Sequence, residues 1–302
     1  MNDTLGRVLE ASVLEEQFGA IARSSWDRKP SARFWWNLAI GMRAAYANDD
    51  PWTGLQHSDA MQAIFEEIGG ELYYLNAQLY RGMNLWYLGA SSAAEQALER
   101  IAVADLALGV VGSARRFGLS WLRADRNALD EARDLAVQLT EYGHAHRLPQ
   151  DEGRGRWVLA EVLRRRGDLE AAERELAPAL GLVIPLEHPG VLATLSALRL
   201  AQGRAEDALA AAGDAVSRCT TMSGCGMSRG AFVRLAHAEA LHATGAHDAA
   251  RHAITEARVR LLTTADRIAD PAYKQSFLEN VPENARTLAL ARAWLGAGSP
   301  SA

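Results

Sequence analysis

The chain has 302 residues, 49% of them hydrophobic and 23% charged, with a formal net charge of −5 and only two cysteines. That balance excludes a disordered tail, a collagen repeat and a disulfide scaffold. It also argues against a nucleic-acid partner, which would need a clustered excess of Lys and Arg. No run approaches the roughly 20 apolar residues of a membrane-spanning helix. The opening stretch MNDTLGRVLEASVLEE has no basic segment followed by an apolar one, so no membrane partner and a cytoplasmic location are expected.

Alanine supplies 57 residues, close to a fifth of the chain, and alternating runs of β-branched and aromatic residues are almost absent. This is helix composition, and an all-α fold follows from it. Residues 1–70 hold Trp26, Trp35, Trp36 and Trp52 in helical stretches such as SARFWWNLAIGMRAAYA, with turn signals at KPS and NDDPW. They are expected to form Trp-rich helical hairpins: a cap on the end of a stack, the remains of further repeats, or a surface for a homo-oligomer.

From residue 71 to residue 262 five units align on Ala94, Ala132, Ala172, Ala208 and Ala250, spaced by 36 to 42 residues. Five residues before each marker stands Gly89, Asn127, Gly167, Gly203 or Gly245, the residue types that best tolerate a positive φ at a helix end. Twelve before it stands Gly82, Ser120, Ala160, Ser196 or Ala238, always small, as required where two helices cross closely. Four after it come Leu98, Ala136, Leu176, Ala212 and Ile254, and seven after it Ile101, Leu139, Ala179, Ala215 and Ala257, on the marker's own face. The pattern predicts a right-handed solenoid of antiparallel helix pairs. Residues 263–302 should close it with capping helices: Asp270-Pro271 reads as an N-cap followed by proline, and ARTLALARAWLG ends at Gly296.

The columns resemble the tetratricopeptide (TPR) repeat in a degenerate form longer than its usual period of roughly 34 residues. The phrases DEGRGRWVLAEVLRRRGDLEAAERE, LATLSALRLAQGRAEDAL, RLAHAEALHATGAHDAAR and SFLENVPENARTLALARAWLG resemble the C-terminal TPR region of large bacterial multidomain proteins, similar to many from myxobacteria. In those proteins a Ser/Thr protein kinase is followed by an AAA-type or STAND-type ATPase. The resemblance implies a sensing or scaffolding arm that docks a protein or peptide partner, including a kinase or ATPase segment. A phosphate-binding G-x-x-x-x-G-K-[ST] motif and the kinase triplets H-R-D and D-F-G are absent, so neither ATP binding nor any enzymatic activity is expected.

No constellation suggests a cofactor, a metal or catalysis. His237, His242, His247 and His252 recur at intervals of five, the wrong spacing for one ion on a helix, and His144 and His146 read as a surface loop. Cys219 and Cys225, in TTMSGCGMSRG, read as free thiols. The run Arg164-Arg165-Arg166 reads as a solvated helix end, with Arg164 a candidate for pairing with an acidic partner.

The concave face of such a solenoid would present Asn76, Tyr80, Met83 and Trp86, then Phe117 and Trp121, then Trp157, Glu161 and Arg164, and finally Glu239 and His242. The fourth unit offers only Ala193, Thr194 and Ala197. The expected role is a non-enzymatic interaction module of a bacterial signalling system that takes a peptide or helix in this groove. The alternative is a small-molecule effector sensor with an enclosed pocket around Trp121 and Trp157. Replacing Trp157 and Arg164 together by alanine is expected to weaken partner capture with little change in melting temperature.

Overall fold

The computed structural model describes residues 29–101, 109–222, 224–225 and 229–296. Trp26 and the opening stretch lie outside them. Fourteen α-helices and no strand occur among the described residues. The first three are α1 (Pro30–Ala47), α2 (Pro51–Ile68) and α3 (Glu71–Tyr87), followed by the short α4 (Ser91–Glu99). Then come α5 (Gly109–Asp125), α6 (Leu129–His146), α7 (Pro149–Arg166), α8 (Leu169–Leu182), α9 (His188–Ala201) and α10 (Ala205–Thr221). The last four are α11 (Gly230–Ala243), α12 (His247–Arg267), α13 (Pro271–Glu279) and α14 (Pro282–Leu295). Each helix packs on its neighbour in sequence, and α3/α4, α5/α6, α7/α8, α9/α10 and α11/α12 are the five repeating pairs.

Local chemistry sets the boundaries. The Asp50 carboxylate accepts from the Thr53 N–H at 3.0 Å, and that of Asp270 accepts from the Ala272 and Tyr273 N–H groups at 2.8 and 3.2 Å. In both cases proline follows at the first helical position, where its missing donor costs nothing. Within each pair the turn residue takes the left-handed backbone, with φ of 72° at Gly89, 60° at Asn127, 84° at Gly167, 75° at Gly203 and 80° at Gly245.

The marker alanines are completely buried, and the residues four and seven positions later are buried with them. The small column is what lets the helices approach: a Cβ on Gly82 would overlap the Leu98 side chain. The stripes of the first three pairs join one main core that also takes in Leu261, Ala265 and Val281, while those of the fourth and fifth pairs pack in smaller separate clusters.

The solenoid closes on itself. Asp49, between α1 and α2 with a left-handed φ of 52°, faces Arg234 of α11 at 3.0 Å and Arg260 of α12 at 3.8 Å. Asp50 stands 3.7 Å from Arg267, the Trp52 ring lies 5.8 Å from that of Tyr273, and the Asn280 amide donates to the Gly89 carbonyl at 3.5 Å. Contacts across more than 180 residues therefore join the first described helices to the last.

Two sequence expectations are corrected. Cys219 and Cys225 are bonded to each other: α10 ends beside them, the Gly224 N–H turns back to the Cys219 carbonyl at 2.9 Å, and their Cα atoms come within 4.4 Å. His144 and His146 lie in the last turns of α6 instead of a loop, because the helix runs on to Arg147, which ends it with φ of 56°. His144 faces Glu152 at 3.3 Å and His146 stacks on Tyr142 at 4.2 Å.

Candidate functional site

The first helices of three successive pairs bring four aromatic rings together on the inner face. Trp86 closes α3, Phe117 and Trp121 are one turn apart on α5, and Trp157 lies in the middle of α7. Trp86 stacks on Trp121 at 6.4 Å, Trp121 meets Trp157 edge to face at 5.3 Å, and Phe117 packs 5.7 Å from Trp157. From across the superhelix, Arg229 and Phe232 at the start of α11 complete the slot. Its free space is only about 20 Å³, so the rings fill it themselves.

The indole N–H groups are treated differently. Trp86 donates to Asp125 at 2.9 Å and Trp157 donates to the Thr194 hydroxyl at 2.8 Å. The N–H of Trp121 is buried without a hydrogen-bond partner among the described residues, at the cost of an unmade bond.

Beside the rings lies a buried charge network. The Arg229 guanidinium sits 4.7 Å above the Trp86 ring, 2.9 Å from Asp125 and 2.5 Å from Glu283. Burial pulls this guanidinium down, and the charges of Asp125 and Glu283 more than reverse it, so its affinity for the proton is raised. Burial pushes the Glu283 carboxyl up, with Arg229 opposing and Asp125 reinforcing that shift. On α7, Arg165 reaches back to Asp125 at 3.3 Å and to Glu161 at 2.6 Å, while Arg164 holds Glu161 at 2.8 Å. Burial alone would raise the Glu161 carboxyl; the two arginines outweigh it and hold it below the usual range. Behind Phe117, the Arg154 guanidinium stacks at 5.3 Å and pairs with Glu187 at 2.5 Å. A second cleft, bordered by Asp49, Tyr87, Arg229, Arg234, Phe277 and Glu283, lies where this network meets the junction of α1 and α2 with α11 to α14, with about 40 Å³ free, room for a water or two.

The inner face thus gathers Trp86, Trp121 and Trp157, with Glu161 and Arg164 linked to them through Arg165 and Asp125. Four predicted residues stand apart. Asn76 donates to its own helix at the Leu72 carbonyl, 2.8 Å away, and Tyr80 packs toward the Phe34 and Met61 cluster. Glu239 pairs with Arg286 at 3.0 Å and His242, itself exposed, stacks on Trp294 at 4.4 Å, so both engage α14. The arginine run is not a plain solvated end, since Arg165 and Arg166 reach Asp125 and Asp130 of the preceding pair. Trp157 is only 4% exposed and belongs to the main core, so the double substitution expected to spare stability would empty that core.

Asp125, Arg229, Phe232 and Glu283 escape a sequence reading. Arg229 meets Asp125 across 104 positions, and no local period marks such a pair. Among the described residues, no group of three His, Cys, Asp or Glu side chains could hold a metal, and no helix is long and apolar enough to cross a membrane.

No protein-family model matches the chain, and no curated protein matches it. Among solved structures, a Rap protein complexed with competence and sporulation factor aligns over 95% of this chain and 85% of its own, with a TM-score of 0.59 at 11% identity. The apo form of RapI aligns over 84% of this chain and 99% of its own, with a TM-score of 0.49 at 11% identity. Together with the helix pairs and buried columns described above, the first of these likenesses identifies the chain's fold as an all-α, TPR-like helical solenoid.

Proposed function

We propose that the chain is a non-enzymatic binding module that takes a partner peptide or helix on its inner face, with the aromatic slot as the anchor. The observation that carries this reading is the convergence of Trp86, Phe117, Trp121 and Trp157 from three repeats around a buried indole N–H that has no acceptor among the described residues. A backbone carbonyl supplied by an extended ligand would satisfy it, and Trp and Arg side chains are the usual energetic centres of such contacts. The solved neighbour of the same fold was captured with competence and sporulation factor, which supports a regulatory ligand on this architecture. The likeness to kinase–ATPase arms supports a bacterial, cytoplasmic signalling setting, with a segment of such machinery as the partner. In this reading residues 1–70 cap the stack, residues 71–262 form the binding repeats and residues 263–302 close the far end.

A selection of displayed random heptapeptides on the full chain tests the proposal. Enriched peptides should bind with a change in tryptophan fluorescence, and Trp121→Phe, which removes the N–H and leaves a smaller aromatic ring in the core at some cost in melting temperature, should weaken them up to about tenfold under conditions where the variant stays folded. Absence of enrichment, or equal binding by Trp121→Phe, would overturn it.

One observation favours the small-molecule reading: the slot sets the guanidinium of Arg229 among ring walls, with Asp125 and Thr194 hydrogen-bonded to two of those rings. A metabolite extract that raises the melting temperature while peptides do not would select it.

A further inference from the structure

The turn between α1 and α2 meets the starts of α11 and α14 at the second cleft. Its walls come from both ends of the described chain: Ala45 and Pro51 on one side, Arg234, Leu261, Phe277 and Asn284 on the other. The Asp49 carboxylate presses so closely on the start of α11 that a Cβ at Gly230 would collide with it. No stretch of the sequence holds the cleft alone; closure of the superhelix assembles it.

Two buried polar atoms of these lining residues have no hydrogen-bond partner among the described residues. The Asn284 side chain is 1% exposed, and its Nδ2 donates to the Phe277 carbonyl at 2.8 Å, which leaves Oδ1 as an unused acceptor. The Arg234 guanidinium donates to Asp49 through a terminal nitrogen at 3.0 Å, and its Nε–H is an unused donor. Glu283, 4% exposed, takes one guanidinium contact from Arg229 at 2.5 Å and keeps further lone pairs. Each unmade bond costs free energy as long as nothing meets it.

The charges of the lining balance, since Asp49 faces Arg234 and Glu283 faces Arg229. A charged guest would lose its water without gaining a counter-charge, so the cleft suits a neutral one. That guest must donate to Asn284 and Glu283 and accept from Arg234. A primary amide does so on three heavy atoms, with two N–H donors and one carbonyl oxygen. Its size matches about 40 Å³ of free space, of which a water takes roughly 10–15 Å³. Its attached carbon would meet the apolar side chains of Leu261, Phe277 and Val281. We propose that the cleft is a binding site for an uncharged primary amide, held by Arg234, Glu283 and Asn284 against that apolar wall.

Free small amides and the Asn or Gln side chain of a bound peptide share this chemistry. Arg229 borders both the cleft and the aromatic slot, so a peptide anchored in the slot lies within one side chain of the cleft. Occupancy also favours closure, because the walls meet only in the closed superhelix. The amide site stands alone, while its use by a peptide rests on the binding role proposed above.

Saturation-transfer NMR on the full chain, titrated with acetamide, provides the test. Acetamide should bind saturably, while acetate and N,N-dimethylacetamide, which offer no N–H donor, should not. Asn284→Leu removes the acceptor and should weaken acetamide up to about tenfold. Ala231→Leu keeps the polar groups, fills the cleft from the start of α11 and should abolish binding. Circular dichroism checks that each variant is folded, and should Asn284→Leu fail to fold, Ala231→Leu decides alone. An acetamide signal that does not saturate, that dimethylacetamide matches, or that survives Ala231→Leu would overturn the proposal and leave the cleft to water.

The heptapeptides selected above distinguish the sources. An Asn or Gln whose change to Asp or Glu weakens binding about tenfold with the unaltered chain, and not with Ala231→Leu, makes a peptide side chain the amide. Saturation by acetamide with no such peptide position makes it a free small amide. If no peptide binds while acetamide saturates, the binding role fails and the amide site stands. If peptides bind and acetamide does not, the amide site fails and the binding role stands.

Discussion

Arg229 and Asp125 stand 104 positions apart in the chain and 2.9 Å apart in space, and their contact ties the fifth helix pair to the second. Asp125 is shared: it also receives the indole N–H of Trp86 and a guanidinium nitrogen of Arg165. One carboxylate thus links the aromatic slot, the arginine run and the closure of the superhelix.

Removing Arg229 should be among the costliest single changes. Arg229→Ala leaves Glu283 buried without its paired cation and Asp125 with Arg165 alone, and a stranded buried charge costs about 3–5 kcal/mol in other proteins. Adding Glu283→Gln should recover part of that loss by removing the stranded charge. Urea denaturation of the three chains measures it, and a loss below about 1 kcal/mol for Arg229→Ala would show that the pair is not holding the ends together.

Overfilling a marker position should test the repeat register. Ala172 is completely buried where α8 crosses α7, so Ala172→Leu should cost about 1–3 kcal/mol, while Ala177→Leu, exposed on the same helix, should stay within about 0.5 kcal/mol. Similar costs at the two positions would mean that the alanine column does not mark the packed face.

The repeat columns were legible because each obeys a local constraint. A left-handed turn admits Gly or Asn, a close helix crossing admits only small side chains, and a buried stripe repeats every three to four residues. The inner-face tryptophans were legible for a related reason: Trp86, Trp121 and Trp157 stand three, six and ten residues before their turns, positions that share one helical face. The closure was not legible. Asp49, Arg234, Asn280 and Gly89 meet only because five helix pairs accumulate enough superhelical rotation to bring the two ends together, and no single unit encodes that pitch. Nor did the sequence reveal that the slot would be packed shut, because that depends on Arg229 and Phe232 arriving from the far side.

Trp157→Ala should cost about 3–5 kcal/mol, since the side chain fills space between Phe117 and Trp121 and its N–H bonds the Thr194 hydroxyl. Thr194→Val removes that acceptor together with the hydroxyl's own donation to the Gly190 carbonyl at 3.1 Å, and should cost about 1–2 kcal/mol. In a double-mutant cycle the two changes should be clearly non-additive, because Ala at position 157 has already discarded the bond. Additive losses would show that the hydroxyl contributes through packing alone.

Acid should weaken the fold partly through His188. Its ring nitrogen Nδ1 lies 3.0 Å from an Arg218 guanidinium nitrogen, which can only donate, so the imidazole must be neutral to accept. Burial, then the Arg218 charge, hold the His188 pKa below the ordinary histidine value of 6.5. The unfolded chain therefore takes up this proton at a higher pH than the folded chain does. The His188 contribution is intact above 6.5 and is lost as pH falls from there toward the depressed folded value. His237 shifts in the same direction through burial and adds to the trend. His188→Gln keeps an oxygen acceptor for Arg218 and cannot titrate, so its melting temperature should fall less than that of the unaltered chain between about pH 7.5 and about pH 5.5. Parallel melting curves for the two chains across that interval would mean that His188 carries no share of the acid sensitivity.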